Sequence, residues 1–331
     1  MNICVREGRS GMVKGLRVVR PGIRSELQDW GRYGFAPQGM SQGGPIDVHA
    51  YAWANKLLEN RMEAPLIELT VGRATFQAEQ ELCLALTGAD MQARLDACPI
   101  EHWRTFRMKP GQILTLGAAR DGMRAYLAVR GGFQVPSSQE SVSTVARNRM
   151  GGLEGDGRSL QAGDRLPCLS DHGSKCGSAG HGLASLGNVR VPPRMIPEYR
   201  QSVCLRVVES YQSSLFSSSE MDAFYRQTYS LSALGDRMGA RLEGAEIRVP
   251  SSGVISEGLA LGSVQIPPDG QPIILLNDRQ TLGGYPKLGC VARVDLPKLA
   301  QLRPGAQVSF VPVALEDARA AWLGFCRFFV R

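Results

Sequence analysis

The chain has 331 residues, of which 43% are hydrophobic and 21% are charged, an ordinary composition for a soluble globular protein. Its length predicts two domains that are each large enough for a core, and no apolar run reaches the roughly 20 residues that a membrane-spanning helix needs. Six basic residues face Glu7 alone within the first 24 residues, so the net charge of +7 marks a basic tail and does not indicate nucleic-acid binding.

Targeting and redox signals in the sequence favour a cytoplasmic protein. The first 25 residues contain no apolar stretch of the kind that a secretory signal needs. The eight cysteines are scattered without paired spacing, which is not typical of a disulfide framework. Residues 1–15 are predicted to form a basic N-terminal tail, and the reducing cytoplasm is the predicted location.

A first domain is predicted over residues 16–169. Its apolar clusters are short and are bounded by glycine and proline, which favours β-strands. The predicted strands are Leu16–Arg20, Leu82–Thr87, Gln112–Leu116 and Ala125–Arg130. One helix is predicted from Asp47 to about Asn60, because Asp47 can cap the first turn and because apolar residues share one face, namely Ala50, Ala54, Leu57 and Leu58.

Residues 170–200 are predicted to be a flexible linker or insert. The segment is rich in glycine, serine and proline and is poor in large apolar residues. It overlaps the sequence Cys168-x3-His172-x3-Cys176-x4-His181, which contains residue types that bind zinc. The spacing matches no common structural zinc site, so no metal is predicted.

A second domain is predicted over residues 201–331. The predicted strands are Val203–Val208, Ser263–Ile266, Ile273–Leu276, Cys290–Val294 and Gln307–Val313. A short helix is predicted to begin near Asp295, with Pro297 in its first turn, and an amphipathic helix is predicted over residues 314–326. Short strands, 38 glycines and 19 prolines favour a mainly β chain of two barrels with a few short helices.

Common enzyme signatures are missing from the sequence. There is no G-x-x-x-x-G-K-[ST] phosphate loop, no His-x-x-x-His metal helix and no G-x-S-x-G elbow. Outside the predicted linker the histidines are His49, on the predicted helix, and His102, beside Trp103. Both are interpreted as packing or capping residues.

Polar residues and glycines gather instead in five short clusters. They are Gln28-Asp29-Trp30-Gly31-Arg32; Gly43-Gly44-Pro45-Ile46-Asp47 with Asn55; Asp236-Arg237-Met238-Gly239-Ala240-Arg241; Ser256-Glu257-Gly258 with Gln265; and Asn277-Asp278-Arg279-Gln280-Thr281-Leu282-Gly283-Gly284-Tyr285-Pro286. One such cluster is typical of a structural turn, but five in one chain favour a ligand site. Arginine offers a planar fork to carboxylate or phosphate, and an acidic side chain can hold Mg²⁺ or act as a base.

These clusters resemble the allophanate hydrolase subunit 2 family, also called the KipA or biotin-dependent carboxyltransferase-like family. The matching segments of the first domain are Gln28-Asp29-x-Gly31-Arg32, Gly44-Pro45-x-Asp47, Ala54-Asn55-x-Leu57, Leu86-Thr87-Gly88-Ala89-Asp90 and Ser141-x-Ser143-Thr144. Those of the second domain are Asp236-Arg237-Met238-Gly239-x-Arg241-Leu242, Ser256-Glu257-Gly258, Asp269-Gly270-Gln271-Pro272 and Asp278–Pro286. The resemblance implies a pair of cyclophilin-like β-barrels.

The resemblance also implies work in partnership with other subunits. Members of the family serve as one subunit of a prokaryotic 5-oxoprolinase, which converts 5-oxo-L-proline to L-glutamate through ATP-dependent phosphorylation of the amide. The implied partners are a KipI-type subunit 1 protein and a LamB/YcsF-type protein. The implied cofactor is ATP, with Mg²⁺.

Side-chain chemistry predicts the roles of individual residues within the clusters. The predicted catalytic residues are Asp278, Arg279, Glu257 and Arg237, of which the arginines stabilise phosphate charge and the acids position Mg²⁺ or a proton. The predicted substrate-binding or nucleotide-binding residues are Gln28, Asp29, Arg32, Asp47, Asn55, Asp236, Arg241, Gln265, Gln280, Thr281, Gly283, Gly284 and Tyr285.

Two alternative functions stay open at the level of the sequence. One is a carboxyltransferase-type subunit of a urea carboxylase system, which would use biotin, although the chain has no Met-Lys-Met biotin-accepting pattern. The other is a KipA-like regulatory protein that antagonises a kinase inhibitor. The family usually has Ser, Gly, Gly and Ser where this chain has Gly43, Glu59, Glu140 and Gly235, which suggests a different amide substrate or reduced activity, with strain at the two glutamates.

Overall fold

The computed structural model describes residues 14–169, 188–199, 202–248 and 254–329. The strands of its first half are β1 (Gly15–Pro21), β2 (Arg24–Gln28), β3 (Leu66–Thr70), β4 (Ala74–Ala78), β5 (Leu82–Asp90), β6 (Arg94–Leu95), β7 (Cys98–Pro99), β8 (Arg104–Met108), β9 (Ile113–Thr115), β10 (Asp121–Val129) and β11 (Arg165–Pro167). They form two antiparallel sheets, in the orders β11-β1-β4-β9-β6-β7 and β2-β3-β10-β5-β8. Apolar side chains of both sheets meet in one core, which includes Leu16, Phe76, Leu84 and Leu127.

The second half closes into a seven-stranded barrel. Its strands are β12 (Ser202–Glu209), β13 (Tyr229–Leu231), β14 (Gly239–Glu243), β16 (Ser263–Gln265), β17 (Ile273–Leu275), β19 (Lys287–Val291) and β20 (Gln307–Pro312), in the order β12-β19-β16-β17-β14-β13-β20. The short strands β15 (Glu257–Gly258) and β18 (Leu282–Gly283) form a separate antiparallel pair. The predicted mainly β fold with barrel architecture is confirmed.

Four α-helices lie in the described ranges: α1 (Val48–Leu57), α2 (Ser218–Arg226), α3 (Leu296–Ala300) and α4 (Leu315–Phe329). Helix α1 covers the outer face of β5 and β10, where its alanines pack with Ala85 and Tyr126. Strand β5 is therefore buried on both faces, which explains its continuous apolar sequence where a half-exposed strand would alternate.

The C-terminal helix α4 belongs to the second half of the sequence but packs on the first half. The ring of Phe329 lies 5.4 Å from that of Trp53, and the ring of Trp322 lies 6.3 Å from that of Trp30. Lys56 Nζ donates a 3.0 Å hydrogen bond to the carbonyl of Phe328. The helix thus fastens the end of the chain to α1 of the first half.

Most predicted elements are found close to their predicted bounds. Asp47 caps α1 by accepting from the Ala50 amide at 2.9 Å, and Pro297 lies in the first turn of α3, as predicted. The strand predicted at Cys290–Val294 is shifted, because β19 ends at Val291 and the Asp295 amide bonds the Ala292 carbonyl to turn the chain into α3. Helix α2 was not predicted; it begins after Ser217, whose side chain accepts from the Glu220 amide.

The predicted linker over residues 170–200 needs correction. Residues 170–187 and 200–201, with His172, Cys176 and His181, lie outside the described residues, as do residues 1–13 of the predicted tail. Residues 188–199 pack on the first half: Val191 is buried, and the Thr105 amide bonds the Val189 carbonyl at 2.8 Å. Gly15, placed in the predicted tail, is the first residue of β1.

The predicted backbone strain at two glutamates is present. Glu59 has φ 56° and Glu140 has φ 60°, in the left-handed region that favours glycine. Within the described ranges no helix has the length and apolar character needed to cross a membrane. In the same ranges no group of three or more histidine, cysteine or acidic side chains is placed to hold a metal ion.

Candidate functional site at the seam between the halves

The two halves meet where residues 41–47 run alongside the loop after β17. Asn277 Nδ2 donates to the carbonyls of Gly43 and Pro45 at 3.0 and 3.1 Å, and the Gly43 amide donates back to the Asn277 carbonyl at 3.1 Å. Ser41 Oγ donates to the Arg279 carbonyl at 2.8 Å. We call this contact region the seam; two of the five sequence clusters form it directly.

Arg237 crosses the seam from the second half. Its guanidinium makes two hydrogen bonds to Asp278, at 2.9 and 3.0 Å, and one each to Glu68 Oε1 at 2.6 Å and the Gly44 carbonyl at 2.7 Å. Glu26 Oε2 lies 3.8 Å from Arg237 Nε. All four charged side chains are buried, so this network holds charges from both halves away from water.

The charges of this network are mutually stabilised. Burial alone would lower the pKa of Arg237, but the carboxylates of Asp278 and Glu68 raise it well above its ordinary value. Burial would likewise raise the pKa of Glu68, yet Arg237 and Arg124 hold it below its ordinary value. Asp278 and Arg237, predicted to be catalytic, are therefore engaged with each other beneath the surface, and their catalytic roles stay predictions.

Gln28 and Asp29 hold the loop of residues 141–144 against the seam. Asp29 Oδ1 accepts from the hydroxyls of Ser141 and Ser143, both at 2.6 Å, and Oδ2 accepts from the Val142 amide at 2.7 Å. Gln28 Oε1 accepts from the Gly44 amide at 3.1 Å. These side chains position the seam backbone, which explains why the Ser141-x-Ser143-Thr144 segment accompanies the first cluster.

Arg32 lies beside this loop and is 3% exposed. Its Nη2 reaches the Ser141 carbonyl at 3.4 Å, while Nε and Nη1 are buried without a hydrogen-bond partner among the described residues. Burial lowers the pKa of Arg32. A buried guanidinium with free donors leaves positive charge close to the seam.

Arg279 and Arg293 give the outer face of the seam a positive charge. Arg279 donates to the carbonyls of Leu259 and Leu276 at 2.9 and 3.3 Å, and to Gln42 Oε1 at 3.4 Å. Arg293 donates to the Tyr33 hydroxyl at 2.7 Å.

Neither Arg279 nor Arg293 forms an ion pair with an acid of the described chain. Burial lowers the pKa of Arg279, and the neighbouring charge of Arg293 adds to this. Two guanidinium groups without acidic partners are suited to bind an anionic group from outside the chain. The adjacent cavity lined by Trp30, Gln42, Asn277 and Arg293 measures about 20 Å³, so a larger ligand would lie on this face.

The β15–β18 pair carries a second group of predicted residues next to the seam. Glu257 accepts hydrogen bonds from Lys287, from the Tyr211 hydroxyl and, at 2.8 Å, from Gln212 Nε2. The hydrogen bond from Lys287 lowers the pKa of Glu257, so it is a carboxylate and not a proton donor at neutral pH.

The glycines after β18 allow close packing of this loop. A Cβ on Gly283 would lie 2.9 Å from a Leu259 methyl, and one on Gly284 would lie 2.9 Å from the Val254 carbonyl oxygen. The side chain of Gln265 is buried beneath, with Nε2 at 3.5 Å from the Tyr285 carbonyl, while Tyr285 is exposed. Gln280 and Thr281 are half-buried on the same loop, and the Thr281 carbonyl accepts from the Leu259 amide.

Other predicted site residues lie apart from the seam face. Asn55 bonds the Ala64 carbonyl at 3.1 Å and fixes the end of α1. Asp236 accepts from the Met238 and Gly239 amides and closes a turn, and Arg241 is exposed on β14. These three predictions receive no support from the geometry as parts of one site.

Asp47 has a structural place at the end of α1. Besides capping the helix, its Oδ2 accepts from Gln301 Nε2 of the second half at 2.7 Å. Burial raises the pKa of Asp47 to about 6.

Sequence reasoning missed several residues of the seam. Glu26 and Glu68 each interrupt an apolar strand sequence, and a charged residue at such a position is a signal for a buried ion pair. Arg293, Tyr33 and Gln42 stand in no motif, and only the fold brings them beside Arg279.

The comparisons with known proteins agree with this geometry. The family described as "Carboxyltransferase domain, subdomain A and B" matches residues 38–312. The chain belongs to this carboxyltransferase-domain family. The resemblance seen in the sequence is thereby confirmed.

Individual members of the carboxyltransferase-domain family are similar over almost the whole chain. The chain is 40% identical to the C subunit of 5-oxoprolinase from Escherichia coli over 92% of its own length and 94% of that protein. It is 37% identical to the corresponding C subunit from Haemophilus influenzae over 89% and 90%. The crystal structure of Kluyveromyces lactis urea carboxylase superposes with a TM-score of 0.84 at 27% identity, covering 94% of this chain but only 28% of that one.

Proposed function

We propose that this chain is one subunit of an ATP-dependent 5-oxoprolinase, which acts with partner subunits to convert 5-oxo-L-proline to L-glutamate. The observation that carries the proposal is the 40% identity to the C subunit of a 5-oxoprolinase over 94% of that protein. The name of that relative is also the support for partner subunits; the KipI-type and LamB/YcsF-type proteins are the proposed ones. The cytoplasm is the proposed location.

The seam face supplies chemistry that suits this reaction. The substrate carries a carboxylate, and the activated amide would carry a phosphate, so both need positive charge. Arg279 and Arg293 offer guanidinium groups that have no acidic partner in the described chain, and Tyr33 offers a hydroxyl beside them. Arg279 binds or orients the anion, while Arg237 and Asp278 hold the backbone on which it stands.

The described residues fit the phosphates of ATP better than they fit its Mg²⁺. Both oxygens of Asp278 are hydrogen-bonded to Arg237, and Glu257 is engaged by Lys287, so neither carboxylate is free to take a hard cation. We therefore place the Mg²⁺ ligands on a partner subunit and the phosphate contact on Arg279.

The direct test is to assemble the chain with its companion subunits and to measure ADP release with 5-oxoproline. We expect ADP release that depends on both this chain and the substrate. An assembled, folded complex without substrate-dependent ADP release would contradict the proposal.

Arg279→Ala tests the assignment of the anion contact. We expect a loss of about 100-fold in kcat/KM, since one charge-assisted contact in a site contributes roughly 2.7–4 kcal/mol. Arg279→Lys keeps the charge but loses the fork, and should recover only part of the activity. Arg61→Ala, at an exposed position of the first half, is the control; normal activity of a folded Arg279→Ala complex would rule the assignment out.

The likeness to urea carboxylase supports a second candidate function. The chain has the fold of part of that enzyme with a TM-score of 0.84, although it spans only 28% of its length. A carboxyltransferase subunit would accept CO₂ from carboxybiotin on a partner. Incorporation of labelled bicarbonate into urea, in the presence of a biotin carboxylase and a biotinylated carrier, distinguishes it from the 5-oxoprolinase. Binding to a kinase inhibitor without either activity would indicate the KipA-like regulatory role.

A further inference from the structure

A cavity of about 510 Å³ opens on the first half, around strands β6, β7 and β8 and the packed segment of residues 188–199. We call it the basic cavity; its charged and polar lining residues are Asp90, Arg94, Glu101, His102, Arg104, Arg120 and Arg190. None of the seam residues lines it. Its volume falls in the range of about 300–1,000 Å³ that small-molecule sites occupy.

The charges of the basic cavity are unbalanced. Arg120 Nη2 lies 2.5 Å from Asp90 Oδ2, and Arg104 Nη1 lies 2.8 Å from Glu101 Oε2, so two of the four arginines have an acidic partner. Arg94 and Arg190 are exposed and form no ion pair with any acid of the described chain. The cavity therefore holds two uncompensated positive charges.

His102 directs a free polar atom toward this space. Its Nε2 lies 3.4 Å from Asp90 Oδ1, which fixes the ring, and its Nδ1 is buried without a hydrogen-bond partner in the described chain. A buried polar atom without a partner is destabilising, and a ligand that bonds it removes that cost.

The floor of the basic cavity is apolar and is held in a strained conformation. Ile100, Val191 and Ile196 line it beside Trp103. Trp103 has φ 60° and Gln92 has φ 49°, although neither is a glycine, and Trp103 is fixed by a 3.1 Å hydrogen bond from Nε1 to the Gly88 carbonyl. Such conformations are uncommon for large side chains and occur often at ligand sites.

We infer that the basic cavity binds a small organic oxyanion with at least two negative charges, either a phosphate ester or a dicarboxylate. Arg94 and Arg190 contact the anionic groups, His102 Nδ1 hydrogen-bonds one polar atom, and the Trp103–Ile100 floor packs against the carbon skeleton. The site is separate from the seam and does not rest on the proposed function.

Isothermal titration of the full chain with ADP, inorganic phosphate and succinate tests the inference. We expect saturable 1:1 binding of ADP or succinate, and the arm that binds identifies the phosphate or the carboxylate chemistry. Inorganic phosphate, which lacks a carbon skeleton, should bind at least tenfold more weakly. Absence of saturable binding in all three arms overturns the inference, as does binding of an acidic protein alone.

Matched variants locate the bound anion. The double variant Arg94→Ala, Arg190→Ala should weaken binding at least tenfold, and His102→Ala should weaken it about fivefold or more. The control Arg61→Ala, Arg147→Ala removes the same number of exposed charges from the first half outside the cavity and should leave binding within twofold. Equal losses in both double variants would show attraction to net charge and overturn the site. Circular dichroism establishes that each variant is folded.

Discussion

Gly43 lies at the tightest point of the seam backbone. Its φ is 67°, and a Cβ there would stand 2.9 Å from both Ser143 Cβ and Val145 Cγ2. The family usually has serine at this position, so the neighbours of Gly43 in this chain are packed for a residue without a side chain. The missing hydroxyl is matched by the close approach of the loop that Asp29 holds.

We predict that Gly43→Ser destabilises the protein. Gly111 is the control, because its φ is 87° and a Cβ there would meet nothing within 4 Å. Backbone strain is common to both variants, so the difference isolates the overpacking, which costs about 1–3 kcal/mol. Urea denaturation of both variants measures it; equal losses would show that the loop yields without cost.

Residue identity predicted the seam only in part. The sequence indicated Arg237, Asp278 and Gln28 because these residues stand in polar clusters, but it assigned them to ligand binding. Their actual partners, Glu68 and Gly44, come from distant positions, and a bidentate contact across two halves leaves no local pattern. The predicted catalytic groups of the network therefore turned out to be buried, while Arg293 escaped notice because it stands alone.

At the scale of elements, α1 connects the local sequence to the contact between halves. Asp47 caps the helix and also accepts a hydrogen bond from Gln301, whose Oε1 in turn accepts from the amides of Met123 and Arg124 at 2.8 and 2.9 Å. One side chain from the end of α3 thus links α1 and β10.

Asp47→Ala should cost more stability than an ordinary cap. Loss of an N-cap costs about 1 kcal/mol, and the lost buried hydrogen bond to Gln301 adds about 1–2 kcal/mol. Ser217→Ala is the matched control, because Ser217 caps α2 without a contact to the first half. The free energies of unfolding at pH 7 give the comparison, and a loss for Asp47→Ala no greater than the control's would exclude the coupling.

His49, in the first turn of α1, makes the stability depend on pH. Burial lowers its pKa from 6.5 to about 4, so the unfolded chain takes up the proton first as the pH falls. The stabilising contribution is complete above pH 6.5 and is lost as the pH falls toward 4, by about 2 kcal/mol at pH 5. Asp47 opposes this, since its raised pKa makes its ionisation unfavourable as the pH rises toward 6.

His49→Phe separates the two contributions. The ring stays between Trp103 and Phe329, which lie 5.9 and 6.0 Å from it, but the titrating group is gone. We expect the loss of unfolding free energy between pH 7 and pH 5 to be smaller in the variant by about 1–2 kcal/mol. Unchanged pH dependence would show that His49 keeps its ordinary pKa.

Elements with a local signal could be predicted from the sequence, and others could not. Helix α1 carries both a cap and an apolar face, and β5 carries a continuous apolar run. Helix α2 has one fully buried residue, Phe224, whose ring stacks on that of Phe310 at 4.5 Å. A helix fixed by a single distant contact gives too little periodicity to be predicted.

At the scale of the molecule, the buried charges couple the two halves. Arg237 and Asp278 come from the second half and Glu68 from the first, so opening the seam would expose or strand a charge on each side. A buried ion that loses its partner typically costs about 3–5 kcal/mol.

Arg237→Met tests this coupling. We expect a loss of about 3–5 kcal/mol in the free energy of unfolding and earlier melting of the seam, because Glu68 and Asp278 lose their common partner. Arg61→Met, at an exposed pair 3.6 Å from Glu63, should change stability by less than about 0.5 kcal/mol. Differential scanning calorimetry and amide exchange near Asn277 provide the readouts. A loss below about 1 kcal/mol would mean that the network does not couple the halves.

The global arrangement of strands was the least predictable level. Short strands and many glycines favoured barrels, and the resemblance to a family named the architecture. The order β12-β19-β16-β17-β14-β13-β20 depends on contacts between residues far apart in the chain, which single-sequence patterns do not contain. The packing of residues 188–199 on the first half escaped prediction for the same reason.

The closure of the second barrel sets an order for events on the ribosome. Strand β12 pairs in parallel with β20, so Ser202 meets Gln307 only after nearly the whole chain has been synthesised. The first half completes its sheets when β11 emerges with Pro167 and can fold while translation continues. Until β20 arrives, β12 and β13 present unpaired edges to other nascent chains. Helix α4 emerges last and docks on α1, a partner that has long since folded.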